Sequence, residues 1–181
     1  GGRILIETLR HRTPPGLILI SAAPGLRESV ETRLKQDENW ARRFEAHDPT
    51  VLKDWYSQPL FAGLLDDPQF SEVLTRRKNF DGEKMARLLR EASPARTGSA
   101  QEMISRLKIP ILYIVGEKDT KYLGWATEIV DWNPQIEVEV IPNAGHALIL
   151  THGPELSRII QRWKARHFRK IESLICERKN Q

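Results

Sequence analysis

The sequence predicts an α/β fold in which helices cover a sheet of parallel strands, and three observations support this. Two short apolar runs, residues 17–21 and 111–115, are typical of buried parallel strands. A third run, residues 136–141, alternates apolar and acidic residues in the manner of a strand. Between the second and third runs, residues 121–131 repeat apolar side chains at helical spacing, so the chain contains a strand–helix–strand unit.

The elements before residue 111 are mostly helical. A helix over residues 3–11 is predicted to precede the first strand, and a Thr-Pro-Pro-Gly turn at residues 13–16 ends it. Between the first two strands we predict no further strand. Four helices are predicted there, over residues 26–46, 50–56, 69–78 and 83–92. A helical insertion between two parallel strands, at the ligand-binding end of the sheet, indicates a cap over the site.

The predicted organisation therefore has four parts. Residues 1–25 and 99–166 form the α/β core, and residues 26–98 form the helical cap, which returns to the core through a linker near its end. The core resumes with a short helix over residues 101–107, and its last helix is expected to end near residue 170. Residues 167–181 are predicted to form a basic carboxyl-terminal tail.

Composition and charge limit the possible functions. The 181 residues, 40% of them apolar, suit one ordinary domain, and no apolar run reaches the roughly 20 residues of a membrane span.

The net charge of +4 arises from residues 158–181, where eight basic and two acidic side chains occur. Such a run predicts a helix face that is solvated. The alternative is a helix face that binds RNA or an acidic membrane surface. The single Cys176 excludes an intramolecular disulfide, and no metal-ligand spacing occurs, so we expect a reducing compartment and no metal.

Two polar residues follow neighbouring predicted strands. Asp119 comes just after the second strand, and His146 comes just after the third, on a Pro-Asn-Ala-Gly turn. The carboxyl ends of parallel strands share one edge of the sheet, where open α/β sheets bind ligands. An aspartate that orients a proton-relaying histidine is the acid–base half of a catalytic triad. The alternative is that Asp119 is a helix cap and His146 a surface histidine.

The nucleophile of such a triad is expected earlier in the chain. Gly1 and Gly2, followed by a predicted helix, look like the end of a Gly-x-Ser-x-Gly turn. We therefore expect the serine and the oxyanion-binding loop upstream of Gly1.

Arginines are frequent in the predicted cap. Guanidinium groups bind carboxylates bidentately and keep their charge when partly desolvated, so a lid with several arginines suits a substrate with more than one carboxylate. The alternative is that they are solvated. The aromatic pair Trp55 and Tyr56 is expected either to pack within the cap or to wall the cleft.

The sequence resembles the carboxyl-terminal two thirds of the 2-succinyl-6-hydroxy-2,4-cyclohexadiene-1-carboxylate synthases. These enzymes are lyases of the α/β-hydrolase fold. The most selective motifs are the arginine after the double glycine and the Asp-Trp-Tyr-Ser-Gln-Pro run at residues 54–59. Gly-Glu-Lys-Asp at 116–119 and Ala-Gly-His at 144–146 also match but occur in many α/β-hydrolases.

The resemblance implies a role for each matching residue. Asp119 would orient His146, and His146 would act through the serine, which serves as a base that removes a ring proton so that pyruvate is expelled. The residues implied in substrate binding are Arg3, Arg33, Arg77 and Trp55. The implied substrate is a small polycarboxylate, and neither a metal nor an organic cofactor is implied. The implied pathway is menaquinone or phylloquinone biosynthesis, in the cytoplasm or the plastid stroma.

Residues 147–153 and the basic end depart from the family pattern. We expect the chain to need the amino-terminal half of the fold as its partner and to be inactive alone. No nucleic-acid partner and no stable membrane insertion are expected. Two other functions stay open, namely an esterase or carbon–carbon hydrolase on the same fold and a non-catalytic protein that acts by association.

Overall fold

The computed structural model describes residues 2–62, 64, 67 and 70–179, without the side chains of Arg3 and of residues 169–179. Three parallel strands form one sheet in the order β1-β2-β3. They are β1 (Leu17–Ile20), β2 (Ile111–Gly116) and β3 (Ile136–Ile141). The central strand β2 is buried throughout, as its continuous apolar sequence predicts.

Strand register brings the carboxyl ends of β2 and β3 level with each other. Ile111 pairs with Ile136 at one end, and Gly116 pairs with Ile141 at the other. The loops that follow these two strands therefore leave the sheet side by side, which is the arrangement that the sequence predicts for Asp119 and His146.

The helices of the core cover both faces of the sheet. They are α1 (Gly2–Thr8), α7 (Gln101–Arg106), α8 (Thr120–Ile129), α9 (Leu148–Thr151) and α10 (Gly153–Lys179). Side chains of α1, α7 and α8 pack with Tyr113 and the alternate residues of β2 on one face. Leu112 and Ile114 point to the other face, where they pack with Trp163 of α10. Trp163 is 2% exposed, so its truncation to alanine is expected to cost about 3–5 kcal/mol of unfolding free energy.

The segment between β1 and β2 is helical, as predicted. It contains α2 (Val30–Glu45), α3 (Val51–Tyr56), a 3-10 turn (Pro59–Phe61), α4 (Phe70–Arg77), α5 (Gly82–Glu91) and α6 (Pro94–Thr97). Helices α2 and α5 pack against each other, and Arg90 of α5 donates to Glu38 and Glu45 of α2 at 2.9 Å. The exact limits of a cap domain stay a prediction.

Several element boundaries differ from the sequence prediction, and three of these differences have a clear physical reason. Helix α2 begins at Val30, not at residue 26, because the Ser29 hydroxyl accepts a hydrogen bond from the Thr32 backbone amide and caps the helix there. Helix α6 occupies part of the predicted linker, since Ser93 caps it and Pro94 suits the first helical position.

Helix α10 continues to Lys179, past the expected end near residue 170. The predicted basic tail therefore begins within this helix. No glycine or proline occurs between residues 155 and 181 to end it. None of the helices that the structure describes combines the length and the apolar character that a membrane span requires.

Candidate active site

Asp119 and His146 form a hydrogen-bonded pair at the carboxyl ends of β2 and β3. The distance from His146 Nδ1 to Asp119 Oδ2 is 2.8 Å. The Asp119 side chain is only 3% exposed, and that of His146 is 20% exposed. The aspartate is therefore held in the protein interior while the imidazole keeps access to solvent.

Gly116 allows the two loops to approach closely enough for this pair to form. A Cβ atom at Gly116 would lie 2.3 Å from the carbonyl oxygen of Ala144 and 2.5 Å from that of Gly145. The same loops are joined by a backbone hydrogen bond of 2.9 Å from the Lys118 amide to the Ala144 carbonyl. Asn143, at φ 60°, takes the left-handed conformation, and its amide donates to Glu117 Oε2 at 2.8 Å.

This geometry assigns a chemical role to each nitrogen of His146. A carboxylate only accepts hydrogen bonds, so Nδ1 donates to Asp119 and carries the ring proton of the neutral imidazole. Nε2 is then the unprotonated nitrogen and can accept a proton from another group. An imidazole held in this way is suited to general acid–base chemistry.

The pair lies on the wall of a cavity of about 780 Å³, a volume within the range of about 300–1,000 Å³ that is usual for small-molecule sites. Its lining comes from α2, from α3 and the turn after it, from the start of α8, and from the loop between β3 and α10. The cavity is therefore bounded by the sheet ends on one side and by the helical segment between β1 and β2 on the other.

Aromatic side chains form much of the wall next to His146. The ring centroid of Tyr122 lies 4.5 Å from that of the imidazole, and the Phe61 centroid lies at 6.0 Å. Trp55 lines the same cavity and packs edge-on against Trp40 with centroids 5.1 Å apart. Burial raises the pKa of the Tyr122 phenol, and the nearby charge of Asp119 raises it further, so Tyr122 is neutral beside the histidine.

Asp54, the first residue of the Asp-Trp-Tyr run, forms an ion pair with the neighbouring helix α2. Its carboxylate accepts a 2.5 Å hydrogen bond from Arg43 Nη2 of α2, and this contact lowers the pKa of Asp54. The ion pair joins α3 to α2 beside Trp55. The motif therefore supplies the side chain of Trp55 to the cavity wall and, through Asp54, the ion pair that holds this part of the wall in place.

Arg33 lines the cavity, but its guanidinium is already bound to two carboxylates. Its Nε donates to both oxygens of Asp37 at 3.0 and 2.9 Å, and its Nη1 donates to Glu28 at 3.3 Å. Burial disfavours the charged guanidinium, yet the hydrogen bonds to Asp37 and Glu28 outweigh burial and raise its pKa. Within the described part of the chain, Nη2 is the nitrogen of Arg33 without a hydrogen bond.

The structure does not bring Arg77 to the cavity. Arg77 lies in the last turn of α4, is exposed, and its guanidinium carbon sits 5.5 Å from the ring centroid of Tyr56. The backbone of Arg3 lies in α1, but its side chain is outside the described residues. Of the residues predicted from the sequence, the cavity lining thus unites Asp119, His146, Arg33 and Trp55.

Several other side chains of the lining are not among the residues predicted from the sequence. These are Phe61, Lys118, Lys121, Tyr122 and His152. Tyr122 stands three residues after Asp119, in the first turn of a helix that begins at the site, and this spacing is a signal that could have identified it.

A parallel sheet with helices on both faces, with an aspartate–histidine pair at its carboxyl edge, defines a protein of the α/β-hydrolase fold. Solved structures agree. MenH from S. aureus superposes with a TM-score of 0.86 over 92% of this chain and 65% of that one, at 23% identity. An esterase from Exiguobacterium antarcticum superposes with a TM-score of 0.67 over 90% of this chain and 63% of that one, at 16% identity. At these identities both show the fold alone.

Curated relatives confirm the resemblance to the 2-succinyl-6-hydroxy-2,4-cyclohexadiene-1-carboxylate synthases. The protein of that name from Escherichia fergusonii is 33% identical over 151 residues, which are 81% of this chain and 58% of the relative. Its namesake from Escherichia coli O139:H28 is 34% identical over 134 residues, which are 72% of this chain and 51% of the relative. The chain therefore spans little more than half the length of these relatives. No protein-family model matches the sequence.

Proposed function

We propose that this chain supplies the acid–histidine pair and the cavity of a carbon–oxygen lyase. The reaction eliminates pyruvate from 2-succinyl-5-enolpyruvyl-6-hydroxy-3-cyclohexene-1-carboxylate and gives 2-succinyl-6-hydroxy-2,4-cyclohexadiene-1-carboxylate, in menaquinone or phylloquinone biosynthesis. The observation that carries this proposal is the 2.8 Å contact between His146 and Asp119 on the wall of a cavity of about 780 Å³. The names of the curated relatives support the choice of reaction.

In the proposed reaction His146 acts through a serine. Nε2 accepts the serine hydroxyl proton, and the resulting alkoxide removes the proton from the ring carbon that bears the succinyl group. The electron pair of that C–H bond forms a new double bond in the ring, the existing double bond shifts by one position, and the bond from the ring to the enolpyruvyl oxygen breaks. The pyruvate enolate that leaves takes up a proton, so atoms and charge balance without a cofactor.

The serine belongs, in this proposal, to the amino-terminal part of the fold, which acts as the partner of this chain. The relatives are longer than the region that this chain matches. Strand β1 pairs with β2 along one edge, and its other edge has no strand partner among the described residues. A further parallel strand that carries the serine at its carboxyl end fits this edge and would face the same cavity.

The proposal is tested by measuring pyruvate release from the enolpyruvyl substrate. The assay uses this chain alone, the amino-terminal segment of a relative alone, and the two together. We expect pyruvate only from the mixture, and we expect the His146→Gln variant of this chain to abolish it. A mixture that folds into a stable complex but releases no pyruvate would contradict the lyase assignment.

The engagement of Arg33 favours a second candidate, a hydrolase that acts on a neutral ester. Two of the three nitrogens of this guanidinium are occupied by Asp37 and Glu28, and Arg77 lies outside the cavity lining. Both arginines are therefore less available to a carboxylate substrate than the sequence predicts. Hydrolysis of neutral esters by the same mixture, without pyruvate release, would support this candidate.

A further inference from the structure

Tyr122 lies against the imidazole of the acid–histidine pair. It stands in the first turn of α8, and its ring centroid is 4.5 Å from that of His146, with 40° between the two planes. Its backbone is held on both sides, because its amide donates to the Asp119 carbonyl at 3.0 Å and its carbonyl accepts from the Tyr113 hydroxyl at 3.3 Å. The residue is therefore anchored where its ring contacts the imidazole.

The hydroxyl of Tyr122 is a hydrogen-bond donor that a molecule in the cavity can use. Within the part of the chain that the structure describes, no hydrogen bond involves this hydroxyl. Tyr122 is half-buried, yet its oxygen is not among the buried polar atoms that lack a partner, so it is reachable from the cavity that the residue lines. Burial raises the pKa of the phenol, so the phenol keeps its proton at neutral pH and can donate it to a bound oxygen atom.

Arg33 brings a second donor to the same cavity, from the side of α2. Asp37 and Glu28 engage two nitrogens of its guanidinium, so Nη2 is the nitrogen that a ligand can use. After burial and Asp119, the charges of Arg33 and Glu28 influence the pKa of the Tyr122 phenol, so the hydroxyl lies within electrostatic range of this ion pair. A carboxylate has two oxygens, and a single guanidinium nitrogen serves only one of them.

We propose that Tyr122 is a specificity-determining residue of this cavity, whose hydroxyl donates a hydrogen bond to the carboxylate that Arg33 Nη2 binds. Each donor takes one carboxylate oxygen, and the two together supply the contacts that a guanidinium free of Asp37 would make alone. The inference rests on the proposed function in one respect, since it needs a substrate that carries a carboxylate. It adds a neutral donor from α8 to the arginine of α2.

A neutral donor contributes in a different way from a second cation. The phenol adds no charge, so the preference for an anion comes from Arg33, whereas the hydroxyl fixes where that anion sits. Because the ring of Tyr122 lies against His146, a carboxylate held by the hydroxyl stays close to the imidazole. Phenylalanine would keep the ring contact and lose the hydroxyl, so Tyr122→Phe should weaken substrate binding and leave the chemical step largely unchanged.

The test measures the binding of succinate to the chain as it is, followed through the NMR signals of the His146 imidazole. We expect Tyr122→Phe to bind succinate about tenfold more weakly, a loss at the lower end for a hydrogen bond to a charged group, because the site is open to solvent. Tyr56→Phe is the matched control. It removes the same hydroxyl from a tyrosine of α3 that lies outside the cavity lining, so its affinity should be unchanged.

Four outcomes would overturn the role of Tyr122. The first two are failure of the unsubstituted chain to bind succinate at millimolar concentration and equal affinity of Tyr122→Phe. The third is an equal loss of affinity in Tyr56→Phe. The fourth is unchanged affinity of a folded Arg33→Gln variant, because the two donors are proposed to share one carboxylate. Melting temperatures of all variants establish that they remain folded.

Steady-state kinetics of the reconstituted protein separate this proposal from the proposed function. Tyr122→Phe should raise the KM for the enolpyruvyl substrate about tenfold and change kcat by less than about threefold, a division that a purely structural role would not give. Pyruvate release with an unchanged KM overturns the role of Tyr122 alone. Weakened succinate binding by Tyr122→Phe, without pyruvate release from the unsubstituted mixture, supports that role and contradicts the lyase.

Discussion

Two regions of the molecule supply the walls of the cavity, and they hold their side chains by different means. The sheet edge holds Asp119 and His146 through strand register, through Gly116 and through backbone hydrogen bonds between adjacent loops. The helical segment between β1 and β2 holds Arg33 and Trp55 through ion pairs and aromatic contacts between side chains. The positions of Asp119 and His146 follow from where their strands end, whereas the positions of Arg33 and Trp55 depend on which side chains surround them.

The largest expected effect is on the sheet edge, from Asp119→Asn. The substitution keeps the size of the side chain but removes the carboxylate that selects the Nδ1–H tautomer of His146. In the reconstituted protein we expect pyruvate release to fall by about 10⁴-fold, the loss known for the equivalent change in a serine protease triad. Steady-state rates of pyruvate release, measured for Asp119→Asn and for the unsubstituted protein, check this prediction.

A loss below tenfold for Asp119→Asn would show that the pair does not act as the acid–base unit. Asp131→Asn is a suitable control, because Asp131 lies just beyond the carboxyl end of α8 and is exposed. That variant should retain full activity.

The second effect concerns the ion pair of the helical segment. Arg33→Met leaves the Asp37 carboxylate without its cation, and this is expected to cost about 2–3 kcal/mol of unfolding free energy. The expected cost is below that of a fully buried pair because 25% of the Arg33 side chain is exposed. Urea unfolding of Arg33→Met, Asp37→Leu and the double variant completes a double-mutant cycle.

We expect the Arg33→Met/Asp37→Leu variant to recover most of the lost stability, since apolar residues can replace a buried ion pair without loss. Additive losses in the double variant would show that the two residues are not coupled, and the structural role of Arg33 would then be wrong.

The third effect returns to the sheet edge, with Gly116→Ala. The new methyl group would meet backbone carbonyls of the neighbouring loop at 2.3 and 2.5 Å, so the loop must move and carry His146 with it. A destabilisation of about 1–3 kcal/mol is expected, together with a changed NMR environment of His146. Gly124→Ala is the matched control.

At Gly124 a Cβ atom would approach only the flexible end of Arg27, at 3.4 Å. Because this glycine lies within the helix α8, alanine should raise stability by about 0.5–1 kcal/mol. Equal effects of the two substitutions would contradict the requirement for glycine at position 116.

The smallest effect is a pH dependence in the helical segment. Hydrogen bonds from Arg90 and Arg42 lower the pKa of Glu38 to about 2. Because the folded-state pKa lies below the unfolded-state value, this contribution to stability is present above the unfolded pKa and is lost as pH falls toward 2. Melting temperatures of Glu38→Gln should therefore vary less between pH 4.5 and 2 than those of the unsubstituted chain, whereas identical profiles would exclude the contribution of Glu38.

The same contrast explains how much the sequence alone could predict. The strands and the Asp119–His146 pair could be predicted because periodicity identifies parallel strands and their ends share one edge. The positions of Arg33 and Arg77 could not, because the direction of a guanidinium in a helical insertion depends on partners such as Asp37 and Tyr56. Tyr122 and Lys121 lie in the first turn of the helix that the sequence predicts after Asp119, but periodicity alone does not tell which side chains of that turn face the cavity.

The state of His146 in the isolated chain tests the central claim most directly, namely that the two strand ends alone form the acid–base pair. Nitrogen-15 NMR of the imidazole distinguishes the two neutral tautomers. The account predicts a protonated Nδ1 that is hydrogen-bonded to Asp119 and an unprotonated Nε2, with this preference lost in Asp119→Asn. A protonated Nε2 in the neutral ring, or a spectrum unaffected by Asp119→Asn, would contradict it.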